Sequence, residues 1–181
     1  MEDRGAELYR RYLEGEKAAF DELVRLYRQP LIFFLNRYVR NISSAEDIAA
    51  DVFVELLVHR HRYNFRSSMK TYLFMIGRSR ALNFQKRQKR LQPFPEQQEP
   101  STDEELLADR IIRDDLHRAL HRALNAIPED YRVALHLVYF EELSYRDAGR
   151  VMKKNEKQMT NLLYRGKKAV KAVLEKEGYS L

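Results

Sequence analysis

The stretch Leu91 to Glu105 reads LQPFPEQQEPSTDEE, and no other part of the chain constrains the fold as much. Its three prolines fix φ and remove backbone donors, and the remainder, mostly Glu, Gln, Ser and Thr, has little to bury against the entropy of ordering it. Whatever folds must therefore fold on either side of it. Both sides carry a helical pattern, with apolar residues recurring at three- and four-residue spacing, only 6 glycines in 181 residues, and no useful run of alternating valine and threonine. The sequence predicts an all-α chain of two small helical domains joined by a flexible acidic linker. The first domain is expected at residues 1–91, the linker at 92–110 and the second domain at 111–181.

Capping residues place the elements. A first helix is expected from Asp3 to Glu14, broken by Gly15, followed by AAFDELVRLYR with Phe20, Leu23, Val24 and Tyr27 as its buried stripe. Pro30 suits the first turn of a separate helix, LIFFLNRYVR. Ser43 with Glu46 has the capping-box spacing, which predicts a helix from there to about His59 whose core stripe is Ile48, Val52, Phe53, Leu56 and Leu57. The serines at 67 and 68 can cap a long helix from Met69 to about Arg90, with Leu73, Ile76 and Leu82 turned inward. Beyond the linker, Thr102 with Glu105 offers a cap for a helix ending before Pro128, and Pro128 opens PEDYRVALHLVYF. Ser144 with Asp147 caps SYRDAGRVM, and Asn155 caps a last helix that Gly178 closes.

Charge is unevenly spread. The formal net charge is +6, but the cations gather in two blocks, Arg78 to Arg90 and Lys153 to Lys171, on either side of the acidic middle. Clustered Lys and Arg displace condensed counterions from a polyanion, so two blocks predict two footprints on one nucleic acid. The absence of cysteine excludes disulfides and thiolate metal sites and fits a reducing compartment. The charged start MEDRGAELYRR is unlike a signal peptide, and no apolar run reaches the roughly 18 residues a membrane span needs. The expectation is a cytoplasmic protein without membrane insertion.

Three segments carry candidate chemistry. SYRDAGRVM, a short turn KKN and EKQMTNLLYRGKK have the dimensions of a helix-turn-helix, whose second helix lies in the major groove of duplex DNA. On that helix Met159, Leu162, Leu163, Gly166 and Val170 share one side, leaving Lys157, Thr160, Asn161, Tyr164, Arg165 and Lys168 for base edges and phosphates. The segment YNFRSSMKTYLFMIGRSRALNFQKRQKR interleaves aromatics with cations, as single-strand binding requires: rings stack on bases while Lys and Arg hold phosphates. Phe65 and Tyr72 are its platforms, and Arg78, Lys86, Arg87 and Arg90 cannot be buried unpaired. In SAEDIAADVFVELL, Asp47, Asp51 and Glu55 recur every four residues beside Val54 and Val58, an acidic ridge with an apolar edge that suits a basic partner helix. No enzyme motif competes: His117 and His121 lack an HExxH-type base, and there is no phosphate loop or nucleophile motif, so neither a metal nor a cofactor is expected.

With these residues in view, the chain resembles the extracytoplasmic-function class of bacterial sigma factors over nearly its whole length. AAFDELVRLYR, SAEDIAADVFVELL and MKTYLFMIGRSRALNFQKRQKR are similar to that family's region two, and LHRALNAIPEDYRVALHLVYFEELSYRDAGRVM with TNLLYRGKKAVKAVL to its region four. The resemblance implies a factor that binds core RNA polymerase and directs initiation at promoter DNA. Asp47, Asp51, Val54, Glu55 and Val58 would dock on the clamp helices of the largest polymerase subunit. The loop from Tyr63 to Lys70, with Phe65, Arg66, Ser67, Ser68 and Lys70, would capture a flipped base of the minus-ten element. Tyr72, Arg78, Asn83, Lys86 and Arg87 of the following helix would assist strand separation. The recognition helix would read the minus-thirty-five element as duplex, the linker would thread near the polymerase cleft, and an anti-sigma factor would cover these surfaces. Four positions depart from the family pattern: Tyr72 replaces a usual tryptophan, Ser79 a usual asparagine, DAG a common EIA, and the turn MKKN has no glycine, so Lys153 or Lys154 must tolerate it. The competing reading is a repressor or activator that uses the helix-turn-helix alone, and the two differ in one respect. The first is a monomer when free, whereas the second is a dimer on a palindromic duplex.

Overall fold

The computed structural model describes residues 3–91 and 115–179, which fall in two compact units. Every regular element among the described residues is helical. The first unit holds α1 (Arg4–Leu13), α2 (Lys17–Val39), α3 (Ile42–Val58) and α4 (Met69–Leu91); the second holds α5 (Asp115–Ala126), α6 (Glu129–Leu135), a π-helical turn (His136–Phe140), α7 (Tyr145–Met152) and α8 (Glu156–Lys176). The predicted linker and the cap offered by Thr102 and Glu105 lie outside the described residues.

In the first unit α2 is the central post, with α1 and α4 packed along it. Leu23, Leu31, Phe34 and Leu35 of α2 are fully enclosed, as are Leu73 and Phe74 of α4. The rings of Phe34 and Phe74 stack at 4.5 Å with 10° between their planes. Each such side chain contributes roughly 1.5 to 3 kcal/mol by leaving water, so these residues fix how the helices pack. The core face of α4 is Met69, Leu73, Phe74, Gly77 and Ala81; Ile76 and Leu82, expected to point inward, are only half-buried.

Three sequence expectations need correction. Pro30 does not open a new helix but sits inside α2, which runs unbroken from Lys17 to Val39. The apolar stripe Leu23, Tyr27, Leu31, Phe34 passes straight through it, and the carbonyl that proline leaves without a donor belongs to Leu26, an exposed residue that water can serve. α3 starts at Ile42, one residue ahead of Ser43, which places Ser43 in the first turn; Glu46 meets Arg28 of α2 at 3.4 Å. Leu57 is 39% exposed and no part of the core stripe, which is Ala45, Ile48, Ala49, Val52, Phe53 and Leu56.

The second unit wraps α5, α6 and α7 around α8. Ala119, Ala123, Val133, Ala134, Leu137, Ala148, Met159 and Leu163 make the core. The helix expected to run through HLVYF widens at its end instead, where the Glu141 N–H reaches back five residues to the His136 carbonyl at 3.0 Å. That extra residue in the turn leaves the rings of Tyr139 and Phe140 about half-exposed.

Candidate nucleic-acid and partner interfaces

The helix-turn-helix closes through its own caps. Ser144 Oγ accepts the Asp147 N–H at 3.1 Å and donates to Asp147 Oδ2 at 2.7 Å. Asn155 and Gln158 form a reciprocal capping box, with the Gln158 N–H on Asn155 Oδ1 at 2.8 Å and the Asn155 N–H on Gln158 Oε1 at 2.9 Å. Between the two helices the left-handed residue is Lys153, at φ 55° and ψ 45°. Gly149 makes the tight turn possible, because a Cβ there would stand 2.5 Å from the backbone oxygen of Lys154, whose N–H bonds the Gly149 carbonyl at 2.8 Å.

On α8 the two faces separate as the sequence predicts. Met159, Leu163, Gly166 and Val170 are buried and Leu162 half-buried, while Lys157, Thr160, Asn161, Tyr164, Arg165 and Lys168 are all exposed. Tyr164 is 67% exposed. The Thr160 hydroxyl donates back to the Glu156 carbonyl at 2.9 Å, which spends its one proton and leaves both oxygen lone pairs able to accept.

The loop between α3 and α4 is built around aromatic rings. Tyr63 is buried, and its hydroxyl donates to the Ser67 carbonyl at 2.6 Å, closing the loop on itself. Asn64 Oδ1 accepts the Arg66 N–H at 3.1 Å, and Phe65 between them takes a left-handed conformation, φ 60°. Its ring, 37% exposed, lies 4.6 Å from Tyr63, and the Arg10 guanidinium sits 4.9 Å from its centroid. Tyr72 is half-buried with its ring 4.9 Å from Tyr63, and burial raises its pKa above the ordinary phenol value. Ser68 caps α4 by accepting the Thr71 N–H at 3.1 Å. Arg66 is exposed, Ser67, Ser68 and Lys70 are half-buried, and Asn83, Lys86 and Arg87 line the exposed face of α4. Arg78 is half-buried, with its Nε enclosed and without a hydrogen-bond partner among the described residues.

The α3 ridge divides in two. Asp47 and Asp51 are exposed, and Val54, Leu57 and Val58 continue that face as an apolar patch, Val58 being 68% exposed. Glu55 turns aside toward α4, where Arg80 binds it through Nη2 at 2.7 Å and Nε at 3.0 Å, and Arg62 approaches at 3.2 Å. Arg80 also reaches Asp51 at 3.5 Å. The sequence reading missed Arg80 and Leu57, and it gave α1 no part in the loop.

Residues 23–91 match the family model for Sigma-70 region 2, and residues 117–170 match that for Sigma-70, region 4. The RNA polymerase sigma-H factor of Pseudomonas aeruginosa is 28% identical over 96% of this chain and 95% of its own length. The ECF RNA polymerase sigma factor SigM of Bacillus subtilis is 24% identical over 84% of this chain and 93% of its own. The chain belongs to the extracytoplasmic-function class of sigma factors. Solved structures agree at the level of the fold. The sigma factor RpoE of Bartonella quintana, in complex with the anti-sigma factor NepR, superposes with a TM-score of 0.68 at 19% identity, covering 86% of this chain and 96% of that one. CnrH, in complex with the cytosolic domain of CnrY, gives 0.69 at 18% identity, covering 96% and 97%. In this sigma factor the four departures from the family pattern have structural settings. Tyr72 is tied to Tyr63, Ser79 is exposed, Gly149 gives the Lys154 carbonyl room, and Lys153 carries the left-handed turn that the family's glycine usually takes.

Proposed function

We propose that this sigma factor binds core RNA polymerase through Asp47, Asp51, Val54 and Val58 on α3, with Leu57 inside the same patch. It captures a base of the minus-ten strand on the loop from Tyr63 to Lys70 and reads the minus-thirty-five duplex with α8. Glu55 contributes less to docking than its spacing suggested, because Arg80 and Arg62 already hold it. The observation that carries the reading is that two compact units each present an exposed surface whose residues suit nucleic acid, and suit it in different ways. A left-handed, part-exposed Phe65 among cations suits an unstacked base, and a polar, cationic helix face with Tyr164 and Arg165 suits a groove. A protein using the helix-turn-helix alone has no need of the first.

RpoE was solved in complex with an anti-sigma factor, and we propose that a partner of that kind covers the exposed patches on α3 and α8 of this chain, holding it silent in the cytoplasm. No helix among the described residues is long and apolar enough to cross a membrane. The chemistry needed here is binding and strand separation, so no catalytic residue is assigned.

The test is purified chain mixed with core RNA polymerase, followed by co-elution and by initiation from a promoter library. A complex of one chain per polymerase and a set of shared start sites is expected. A free dimer that selects palindromic duplex without polymerase would overturn the reading. Arg165→Ala or Lys157→Ala should weaken upstream recognition by about 1 to 3 kcal/mol where the side chain meets a base, and lower the salt slope by about one where it meets a phosphate. Unchanged initiation in both variants would remove α8 as the reader.

A further inference from the structure

α1 touches the base-capture loop and its two flanking helices at three places. The carboxylate of Asp3 divides between two helix starts: Oδ1 accepts the Gly5 and Ala6 N–H groups of α1 at 3.0 and 3.2 Å, and Oδ2 accepts the Met69 N–H of α4 at 2.6 Å. Both helix N-termini favour the negative charge. Tyr9, fully buried, donates its hydroxyl to the carbonyls of Leu56 and Arg60 at 3.1 and 2.8 Å, where α3 runs into the loop. Arg10 covers a face of the Phe65 ring at 4.9 Å. The close approach depends on Gly5, since a Cβ there would collide with the ring and hydroxyl of Tyr27 and come within 2.8 Å of Met69 Cβ.

We propose that Asp3 is a positioning residue for strand capture: its bridge to the Met69 N–H holds the start of α4, and with it the conformation of residues 63–68, in the shape that receives the base. This rests on the reading of that loop as the minus-ten surface. The loop must keep Phe65 left-handed and its ring outward, a conformation that a free six-residue segment would populate only in part. A binding-competent fraction below one raises the apparent dissociation constant in proportion. Fixing both ends of the loop before DNA arrives removes that loss.

Asp3→Asn isolates the bridge. Asparagine remains a good cap for α1 but offers one acceptor oxygen in place of two, and its amide donor repels the other N–H. Asp3→Ser caps α1 with a single shorter acceptor and serves as the second variant should the first fold poorly. Each full-length variant is bound to core polymerase and titrated with a promoter fragment recovered from the library and mismatched so that its minus-ten element is already open. Affinity should fall about tenfold, with core binding, far-ultraviolet ellipticity and salt slope unchanged. The direction is itself diagnostic, because removing a negative charge near DNA would otherwise tighten binding. In the free chain, deuterium uptake at residues 63–71 should rise while that of α2 stays level. Native affinity or unchanged loop uptake in these variants overturns the inference. Phe65→Ala separates it from the reading beneath it. Capture lost in Phe65→Ala and kept in Asp3→Asn leaves the reading and removes the bridge, whereas capture kept in Phe65→Ala removes the loop as the reader.

Discussion

Arg80 holds Glu55 through two nitrogens, at 2.7 and 3.0 Å, and the Glu55 side chain is 21% exposed against 65% for Asp51. Two acids four residues apart on one helix therefore have different duties, Glu55 held closely between α3 and α4 and Asp51 mainly exposed, with only a 3.5 Å approach from Arg80. Asp51→Lys should reduce core polymerase affinity at least tenfold and leave the urea midpoint where it was; a complex as tight as the native one would make Asp51 an ordinary solvated acid. Glu55→Ala should cost about 1 kcal/mol of stability through the part-exposed bridge, with a coupling of similar size to Arg80→Ala in a double-mutant cycle. The acidic ridge was legible because four-residue spacing needs only the helix period. Which acid was already engaged was not, since Arg80 lies 25 residues on, in a basic tract where nothing marks one arginine as inward. Leu57 was misplaced for a related reason. It lies about 100° round the helix from Leu56, and only the position of the neighbouring helices decides which of two adjacent leucines is covered.

At the scale of elements, caps were the most readable signals. Ser68, Ser144 and Asn155 all accept the N–H three residues ahead, as their spacing required, because a cap is a local bond that needs no tertiary partner. Pro30 misled because its local preference for a first turn yields to a continuous buried stripe on both sides of it. The π-helical turn at His136 to Phe140 left no sequence mark, since one extra residue in a turn changes no period over so short a span. Within the helix-turn-helix, the structure moves the glycine requirement from the turn to Gly149. Gly149→Ala should push the Lys154 backbone away and lower stability by about 1 to 3 kcal/mol, with a parallel loss of duplex binding by α8. Lys153→Gly relieves the left-handed backbone at some gain in unfolded-chain entropy, so it should change stability by less than about 1 kcal/mol. Thermal melts of the two variants give the order, and a Gly149→Ala variant as stable as the native chain would show that the turn has slack.

Across the molecule, two basic blocks around an acidic middle were enough to suggest two nucleic-acid surfaces, while the support beneath the loop was invisible because it joins Asp3, Tyr9 and Arg10 to residues more than forty positions away. That support makes the first unit sensitive to alkali. Tyr27, enclosed beside Gly5 with Asp3 close by, has its pKa pushed up to about 12, chiefly by burial. Burial likewise raises Tyr9 and Tyr63, with the neighbouring Tyr12 adding to the first and Asp3 to the second. The folded unit thus holds these phenols neutral while the unfolded chain would ionise them near pH 10. Their contribution is complete below pH 10 and declines as pH rises through the folded values, on the order of 2 to 3 kcal/mol for Tyr27 alone. Urea titrations of the full chain at intervals from pH 8 to 12 should show the transition of the first unit falling steadily above pH 10, and Tyr27→Phe should flatten that fall while native Tyr9 and Tyr63 maintain part of it. A stability of the first unit that stays level through pH 12 would mean the rings reach water, and Tyr9 could not then be the buried donor that ties α1 to the end of α3.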